Sequence, residues 1–381
     1  MQLVGNWSYP TAMRFGAGRI KEIGDACTAA GMKKPLLVTD RGLADLDITM
    51  STLDLMEAAG MGRALFSDVD PNPNDKNVEA GLKVYREGRH DGVIAFGGGS
   101  GLDLGKMLAF MAGQTRPLWD FEDIGDWWTR ADPDGIDPIV AVPTTAGTGS
   151  EVGRASVITN SQTNEKKIIF HPKVLPQVVI CDPQLTMSMP NFITAGTGMD
   201  AFAHCLEAFC SPHYHPMSQG IALEGMRLVK ENLVTAYENG SDVEARSHMM
   251  VAAAMGATAF QKGLGAIHAL SHPIGALHHT HHGTTNAVVM QNVLNFNRPA
   301  VEDVLSRAAD YLGIEGGFDG FYAYVGELNA RLGIPSDLTE LGVKEPDMDR
   351  LVKDALADPS TGGNPVKMTE ANTRKLFESC F

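Results

Sequence analysis

The order of apolar runs along the chain is the feature that most restricts its fold. Short apolar runs typical of buried strands lie at Pro35–Asp40, Val93–Gly97 and Pro138–Pro143. Helical patterns separate them, at Ser51–Gly60, Asn74–Gly88 and Leu102–Ala112. This alternation predicts a parallel sheet with helices on its faces.

The alternation stops in the middle of the chain. Further strand-like runs, SVIT, KKIIF and VVICD, occupy residues 154–182, and from about Asn191 onward the pattern is almost wholly helical. A chain of 381 residues is also longer than a usual single domain. We therefore predict an α/β domain at residues 1–187 and an all-α domain at residues 188–381.

Composition excludes several classes of partner. The formal net charge of −15 argues against binding to nucleic acid or to an anionic membrane surface. No apolar run approaches the roughly 18 residues that cross a bilayer, and the first residues lack the pattern of a signal peptide. The five cysteines form no CxxC pair, which indicates reduced thiols. We expect a cytoplasmic protein.

Histidines are concentrated in one stretch of the second half. The segment GAIHALSHPIGALHHTHHGTTN contains six of the twelve histidines, among small apolar residues that do not satisfy unpaired imidazoles. A solvated surface or hydrogen-bonded core histidines would be the alternative. Histidine is the commonest metal ligand among side chains. The segment therefore favours a metal site.

The spacing of these histidines points to a single ion. Asp200 and His204 are four residues apart and share one face of a helix. His268 and His272 repeat that spacing, and His282 begins a turn ten residues later. Spacing alone would make both His268 and His272 ligands. One aspartate with several histidines suits Fe(II) or Zn(II), and the pattern does not separate the two metals.

Two loops in the first half have the composition of a nucleotide site. The loop GGGSG begins at Gly97, directly after a strand, and opens a helix whose amides could hold a phosphate. The GxGxxG fingerprint fails at Leu104 and the P-loop fingerprint at Met107. A plain tight turn is the alternative. The position after a strand of an open α/β sheet favours a pyrophosphate site.

The second loop, PTTAGTGSE, also follows a strand and begins at Pro143. Its hydroxyls and amides could hold phosphate, ribose or the nicotinamide amide. Asp40 ends another strand, where a carboxylate can accept from adenosine-ribose hydroxyls and repel the 2′-phosphate of NADP. An exposed turn aspartate is the alternative interpretation of Asp40.

Taken together, these motifs resemble a known family along essentially the whole chain. They include FGAG at 15–18, DPNP at 70–73, GGGS at 97–100, PTTAGTGSE at 143–151, GMDA at 198–201 with His204 and Glu207, HxxxHP at 268–273, HG at 282–283 and TGGNP at 361–365. The chain resembles the iron-dependent, or group III, alcohol dehydrogenases, which include lactaldehyde reductase, propanediol dehydrogenase and bacterial methanol dehydrogenase.

The resemblance implies a dehydroquinate-synthase-like fold, with an α/β dinucleotide-binding domain and an all-α metal-binding domain. It also implies a metal-dependent hydride transfer between NAD(H) and a short-chain primary alcohol or aldehyde, with Fe(2+) as the metal and Zn(2+) as the alternative. The implied metal ligands are Asp200, His204, His268 and His282. His272 then lies beside the nicotinamide as the catalytic proton relay, which differs from the spacing argument.

The same resemblance implies the NAD-binding residues. They are Asp40, Gly97, Gly98, Gly99, Ser100, Asp103, Thr144, Thr145, Thr148 and Lys166, with Lys167 as an alternative to Lys166. His278, His279 and His281 receive no role. Arg154 is a candidate for meeting a carboxylate or sulfonate on a short aldehyde, and Ser360 stands where some relatives have cysteine near the substrate.

Two other activities are compatible with the motifs. A lyase of the dehydroquinate-synthase-like type would use NAD and metal without consuming NADH, but it needs more basic residues than these motifs contain. A glycerol-dehydrogenase-like polyol oxidoreductase would need one aspartate and two histidines, and His204 supplies a fourth ligand here. A homodimer or higher homo-oligomer is expected from the large helical surface.

Overall fold

Seven strands of the first half form one sheet in the computed structural model, which describes residues 5–7 and 11–381. The strands of this sheet are β1 Gly5–Trp7, β2 Ala12–Phe15, β3 Leu36–Val38, β4 Leu65–Phe66, β5 Val93–Gly97, β6 Ile139–Pro143 and β9 Val178–Cys181. Their order across the sheet is β1-β2-β9-β6-β5-β3-β4. β1 runs antiparallel to β2, and the other neighbours are parallel.

Four α-helices accompany the strands among the described residues of this half. They are α1 Ile23–Ala29, α2 Asp47–Ala58, α3 Asp75–Gly88 and α4 Gly99–Met111. Asn74 begins α3 with a capping box shared with Asn77. Every residue of β5 and β6 is buried, as expected for central strands covered on both faces. The predicted parallel sheet is confirmed.

The strand-like runs of residues 154–182 belong to two different sheets. β7 Ala155–Asn160 and β8 Glu165–Phe170 form a separate antiparallel pair, whereas β9 joins the main sheet. Burial explains the difference. β9 is buried throughout, while buried and half-buried residues alternate along β7, as in a strand with one open face.

The second half is helical, as predicted. Its α-helices are α5 Asn191–Cys210, α6 Pro216–Glu238, α7 Val243–Ala259, α8 Ala266–His278, α9 His282–Leu312, α10 Gly317–Arg331, α11 Met348–Ala357 and α12 Glu370–Glu378. α5 packs against α6, α7 and α9 and is buried along most of its length. A Cβ atom on Gly256 of α7 would lie only 2.9 Å from Cβ of His204, so glycine permits the close approach.

The chain divides into two units. One contains the chain up to Thr145 together with Gly149–Met187, and the other contains Ala146–Thr148 and Ser188–Phe381. Within the described ranges, no helix is long and apolar enough to cross a membrane.

Candidate metal and nucleotide sites

Three imidazoles of the helical unit converge on one carboxylate oxygen, that of Asp200. Asp200 and His204 are one turn apart on α5, His268 lies in the first turn of α8, and His282 begins α9. The Oδ1 atom of Asp200 lies 3.6 Å from Nε2 of His204, 3.7 Å from Nε2 of His268 and 3.5 Å from Nε2 of His282. Asp200, His204 and His268 are buried, and the His282 side chain is 29% exposed.

These separations fit a single divalent ion. Ligands about 2.1 Å from a tetrahedral metal are about 3.4 Å from one another, close to the three distances from Asp200. The ligand atoms of Asp200, His204 and His268 all lie within 4.8 Å of one another. His282 is outside that mutual group but approaches the same aspartate oxygen. A carboxylate and imidazole nitrogens are ligands that both Fe(II) and Zn(II) accept.

The electrostatics of this cluster also suit a cation. Burial opposes the charge on Asp200, yet the neighbouring imidazoles, led by His204, lower its pKa. Burial lowers the pKa of His204 to about 4. Burial also disfavours the charged form of His268, but the carboxylates of Glu207 and Asp200 raise its pKa to about 9. Asp200 and His204 are thus in their metal-binding forms at neutral pH, and His268 must release a proton to bind an ion.

Two further side chains hold the cluster. Glu207 lies one turn beyond His204 on α5, and its Oε2 atom is 2.6 Å from Nδ1 of His268. The side-chain amide of Asn286 on α9 donates to Oδ1 of Asp200 at 2.8 Å. Its Nδ2 atom is also 3.3 Å from Nε2 of both His268 and His282. The sequence motifs contain both residues, but spacing gave neither a role.

His272 has a different environment from His204, His268 and His282. Its Nδ1 atom lies 2.7 Å from Oδ2 of Asp358, and its ring stacks on that of His282 with 5.3 Å between centroids. Although burial opposes ionisation of Asp358, His272 and Ser360 lower its pKa to about 2. The ionised Asp358 therefore orients the ring through Nδ1, and Nε2 takes no part in that bond. Sequence reasoning missed Asp358.

Two of the three remaining histidines of the segment, His279 and His281, lie at helix ends and have local roles there. His281 is the N-cap of α9, and its Nδ1 atom accepts from the backbone N–H of Thr284 at 3.3 Å. This cap fixes the first residue of α9, His282. His279 ends α8 in the left-handed conformation, with φ of 55°. Histidine is not among the preferred N-cap residues, so the sequence carried no signal for this cap, although the bond reaches the third helical residue as other N-caps do.

The glycine loop of the first unit is built for close backbone approach. The N-cap of α4 is Gly98, which has no side chain to accept a hydrogen bond. The N–H groups in the first turn of α4 therefore receive no side-chain cap. A Cβ atom on Gly101 would lie 2.5 Å from the carbonyl oxygen of Phe96. Thr144 donates its N–H to the carbonyl of Gly97 at 2.9 Å, which holds the two loops side by side.

Asp40 stands at the edge of this loop. Its Oδ1 atom accepts from the N–H groups of Gly42 and Leu43 at 2.8 and 3.2 Å. Its Oδ2 atom would lie 3.7 Å from a Cβ atom placed on Gly97. The structure thus brings Asp40 next to the glycine loop, after β3 as the sequence indicated.

Asp103 braces the loops from inside. Its Oδ1 atom accepts from the hydroxyl of Ser150 at 2.5 Å, and its Oδ2 atom accepts from the N–H of Val157 at 2.9 Å. Lys106 is buried, pairs with Asp103 at 3.3 Å and donates to the carbonyls of Ser150 (3.0 Å) and Ala155. Because both Asp103 oxygens bond to protein, this residue acts on the loop shape rather than as an open acceptor.

The other predicted nucleotide residues lie on three segments. Ser100 is in the first turn of α4, and Thr145 packs its side chain 3.2 Å from the position of a Cβ on Gly98. Thr148 belongs to the helical unit, as part of Ala146–Thr148. Lys166 lies on β8, next to Lys167, whose ammonium pairs with two glutamates. Successive strand residues face opposite sides, so Lys166 projects away from that pair.

Comparison with known proteins agrees with this arrangement. A model described as iron-containing alcohol dehydrogenase matches residues 10–183, and the C-terminal model of the Fe-containing alcohol dehydrogenase family matches residues 194–381. The chain belongs to the iron-containing alcohol dehydrogenase family. The family predicted from the motifs is confirmed, and the enzyme is a metal-dependent alcohol oxidoreductase.

Individual relatives in this family are similar over nearly their full length. A 4-hydroxybutyrate dehydrogenase from Cupriavidus necator is 38% identical over 97% of this chain and 98% of the relative. The crystal structure of a 1,3-propanediol oxidoreductase superposes with a TM-score of 0.92, 37% identity and 97% coverage of each chain. Sulfoacetaldehyde reductase from Bifidobacterium kashiwanohense in complex with NAD+ has a TM-score of 0.88 and 30% identity, with coverage of 100% and 98%.

Proposed function

We propose that this enzyme transfers a hydride between NAD(H) and a short-chain primary alcohol or aldehyde, with Fe(II) in the helical unit. The observation that carries the proposal is the convergence of three imidazole Nε2 atoms within 3.7 Å of one buried carboxylate oxygen. We assign the metal to Asp200, His204, His268 and His282. Zn(II) suits the same donors.

The bound groups supply the chemistry, and the chain supplies their geometry. When bound, the metal acts as a Lewis acid on the alcohol or aldehyde oxygen and the nicotinamide carries the hydride. Asp200 provides the negative charge that balances the cation, while Asn286 holds the ligand oxygen by a hydrogen bond. Buried, oriented side chains of this kind need little reorganisation during the reaction.

We assign the proton transfer to His272. Alcohol oxidation releases a proton and aldehyde reduction consumes one, so a group able to exchange protons near neutral pH is required. Asp358 binds Nδ1 of His272 and fixes the ring, which leaves Nε2 for the exchange. His272 is 21% exposed, which is enough for contact with water.

We assign NAD to the two glycine-containing loops that begin at Gly97 and Pro143. The support is the uncapped start of α4, the neighbouring hydroxyls and amides of the second loop, and the NAD+ complex of sulfoacetaldehyde reductase. The proposed contacts are Asp40, Gly97, Gly98, Gly99, Ser100, Thr144, Thr145, Thr148 and Lys166, with Asp103 shaping the loop. Asp40 favours NAD over NADP because its carboxylate would repel a 2′-phosphate.

For the substrate we propose a short aldehyde with a second polar group. Names of the relatives refer to 4-hydroxybutyrate, 1,3-propanediol and sulfoacetaldehyde. Arg154 is exposed and lies over the ring of Phe170 at 5.4 Å, and within the described part of the chain it makes no ion pair. A guanidinium of this kind could meet a carboxylate or sulfonate.

The test is anaerobic reconstitution with Fe(II), followed by NADH absorbance with acetaldehyde, propanal, lactaldehyde, glycolaldehyde and succinic semialdehyde. We expect stoichiometric, metal-dependent loss of NADH. A preference for succinic semialdehyde that disappears in Arg154→Ala would support the anionic substrate. Tight NAD and metal binding without NADH loss for any aldehyde would instead favour the lyase. Homo-oligomerisation and a cytoplasmic location stay predictions of the sequence.

A further inference from the structure

We propose that Glu207 is a positioning residue that makes His268 a metal ligand by holding the proton of its ring on Nδ1. This inference rests on the metal site of the proposed function. It assigns a role to a carboxylate that is not itself among the four proposed ligands. Glu207 is buried, with 6% of its surface exposed, and it faces the start of α8 rather than the other three ligands.

Both oxygens of Glu207 are engaged at the first turn of α8. The Oε1 atom accepts from the backbone N–H of Ile267 at 2.6 Å, and the Oε2 atom lies 2.6 Å from Nδ1 of the next residue, His268. An ionised carboxylate only accepts hydrogen bonds, so Nδ1 must be the donor. In a neutral imidazole the other nitrogen, Nε2, then carries the lone pair.

An independent contact on the opposite side of the ring agrees with that tautomer. The Nδ2 atom of Asn286 lies 2.8 Å from the carboxylate oxygen of Asp200, which fixes the amide as a donor there. The same Nδ2 atom lies 3.3 Å from Nε2 of His268. A donor therefore faces Nε2 and an acceptor faces Nδ1. When the ring is neutral, these two contacts direct its Nε2 lone pair toward Asp200, as a ligand requires.

The helix start is seated by a second pair of side chains that does not touch the ring of His268. Asn364 accepts from the N–H of Ala266 at 3.0 Å, and Asn364 and Asn297 exchange two hydrogen bonds of 2.8 and 2.9 Å. Asn364 therefore serves the same helix end as Glu207 without any influence on the proton of His268. This separation provides a matched control.

The substitution Glu207→Gln tests the proton rather than the shape of the site. The amide is nearly the same size but has a single acceptor oxygen and an N–H₂ donor. If the oxygen of the substituted amide accepts from the N–H of Ile267, its N–H₂ group faces Nδ1 of His268. The ring proton must then move to Nε2, where it would block binding of the ion. If the oxygen bonds His268, the N–H of Ile267 meets another donor. Neither arrangement reproduces the wild-type set of bonds.

The experiment is a Co(II) titration of the full-length apoprotein, followed by visible absorption and by competition with a chelator. We expect Glu207→Gln to weaken Co(II) binding about 10- to 100-fold, as other losses of a carboxylate partner to a ligating histidine do. Glu207→Asp, which keeps an acceptor-only group, should recover part of the affinity. Asn364→Ala should lower the thermal stability of the apoprotein yet change the Co(II) dissociation constant by less than about threefold.

A Glu207→Gln protein that binds Co(II) as the wild type does would overturn the proposal. The proposal would also be overturned if Asn364→Ala lost as much Co(II) affinity as Glu207→Gln. The position of the start of α8, and not the proton on His268, would then determine the affinity. Circular dichroism of each apo variant checks folding, and if Glu207→Gln does not fold, the Glu207→Asp and Asn364→Ala comparison decides. Wild-type protein that binds Co(II) tightly but consumes no NADH would refute the proposed function and leave this test valid.

Discussion

The proposed nucleotide site and the proposed metal site rely on different atoms of the chain, backbone atoms in the first and side-chain atoms in the second. In the first unit the glycine loop exposes backbone amides, and side chains such as Asp103 and Lys106 hold the loop from inside. In the second unit the proposed ligand atoms belong to side chains, which are held by other side chains such as Glu207 and Asn286. A site made of backbone amides requires glycines, because a Cβ atom would fill the space. A site made of side chains requires the particular carboxylates and imidazoles that form it. Substitutions should therefore damage the two proposed sites in different ways.

Removal of a ligand should have the largest effect. Asp200→Ala leaves the three imidazoles without the carboxylate that attracts a cation, so we expect loss of metal and a fall in activity of more than about a thousandfold, because Lewis-acid stabilisation is worth several kcal/mol. Metal content by elemental analysis and NADH turnover measure the two quantities. Asp303→Ala, an exposed position on α9, is the control. Full metal content and rate in Asp200→Ala would remove the site assignment.

Removal of the proposed proton relay, His272, should reduce turnover without reducing metal binding. His272→Ala should retain metal and NAD but slow turnover by about a hundredfold or more, the usual contribution of a positioned proton donor or acceptor. Steady-state kinetics together with metal analysis provide the measurement. His279→Asn, at an exposed left-handed position that asparagine tolerates, should leave both unchanged. Parallel loss of metal and activity in His272→Ala would instead indicate a ligand.

Addition of one methyl group to the glycine loop should be enough to weaken the proposed nucleotide site. In Gly101→Ala the new Cβ would overlap the carbonyl oxygen of Phe96 at 2.5 Å, so we expect a cost of about 1–3 kcal/mol and roughly tenfold weaker NAD binding. Calorimetric titration with NAD+ and thermal unfolding are the measurements. The matched change Gly220→Ala meets no atom within 4 Å and should stabilise its helix by up to about 1 kcal/mol. Equal behaviour of the two variants would contradict a backbone-built site.

The smallest predicted effect concerns Glu151, a buried residue at the end of the second loop. Burial, only partly offset by Lys106, raises the pKa of Glu151 from 4.5 to about 7. The folded state therefore holds this proton more tightly than the unfolded chain. The resulting stabilisation is full below about pH 4.5 and is lost as the pH rises through about 7. Relative to wild type, Glu151→Gln should gain stability between pH 5 and 8.

Thermal unfolding of both proteins across that range measures the effect, which we expect to be about 1–3 °C. Glu87→Gln, an exposed change on α3, should show no such trend. A difference between wild type and Glu151→Gln that stays constant with pH would contradict the assigned burial effect.

Much of the fold follows from the sequence because local pattern dominates there. β5 and β6 are runs of wholly buried residues, and the sequence identified both. β4 has only two residues, which is too short for any periodicity, so it was not predicted. The β7–β8 pair resembles sheet strands in composition. Its separate pairing follows from alternating burial, which depends on neighbours that composition does not specify.

The candidate site follows from the sequence only as far as spacing reaches. Asp200 and His204 share a helix face, and Glu207 follows one turn later, so its proximity to the ligands could have been inferred from the sequence. Asp358 could not, since it is 86 residues from its partner His272. The motif TGGNP was recognised by resemblance alone. Its physical reason, the bond from Ala266 to Asn364, became evident only in three dimensions.

The bonds around the metal ligands also have a consequence for the order of folding. They join Glu207 to Ile267 across 60 residues, Asp200 to Asn286 across 86 and Ala266 to Asn364 across 98. Such distant contacts require closure of long loops and form slowly. Until they close, the ligands are scattered along a partly folded chain and bind an ion weakly. We therefore expect metal uptake to be a late event in folding, with the ion stabilising the finished enzyme rather than directing its assembly.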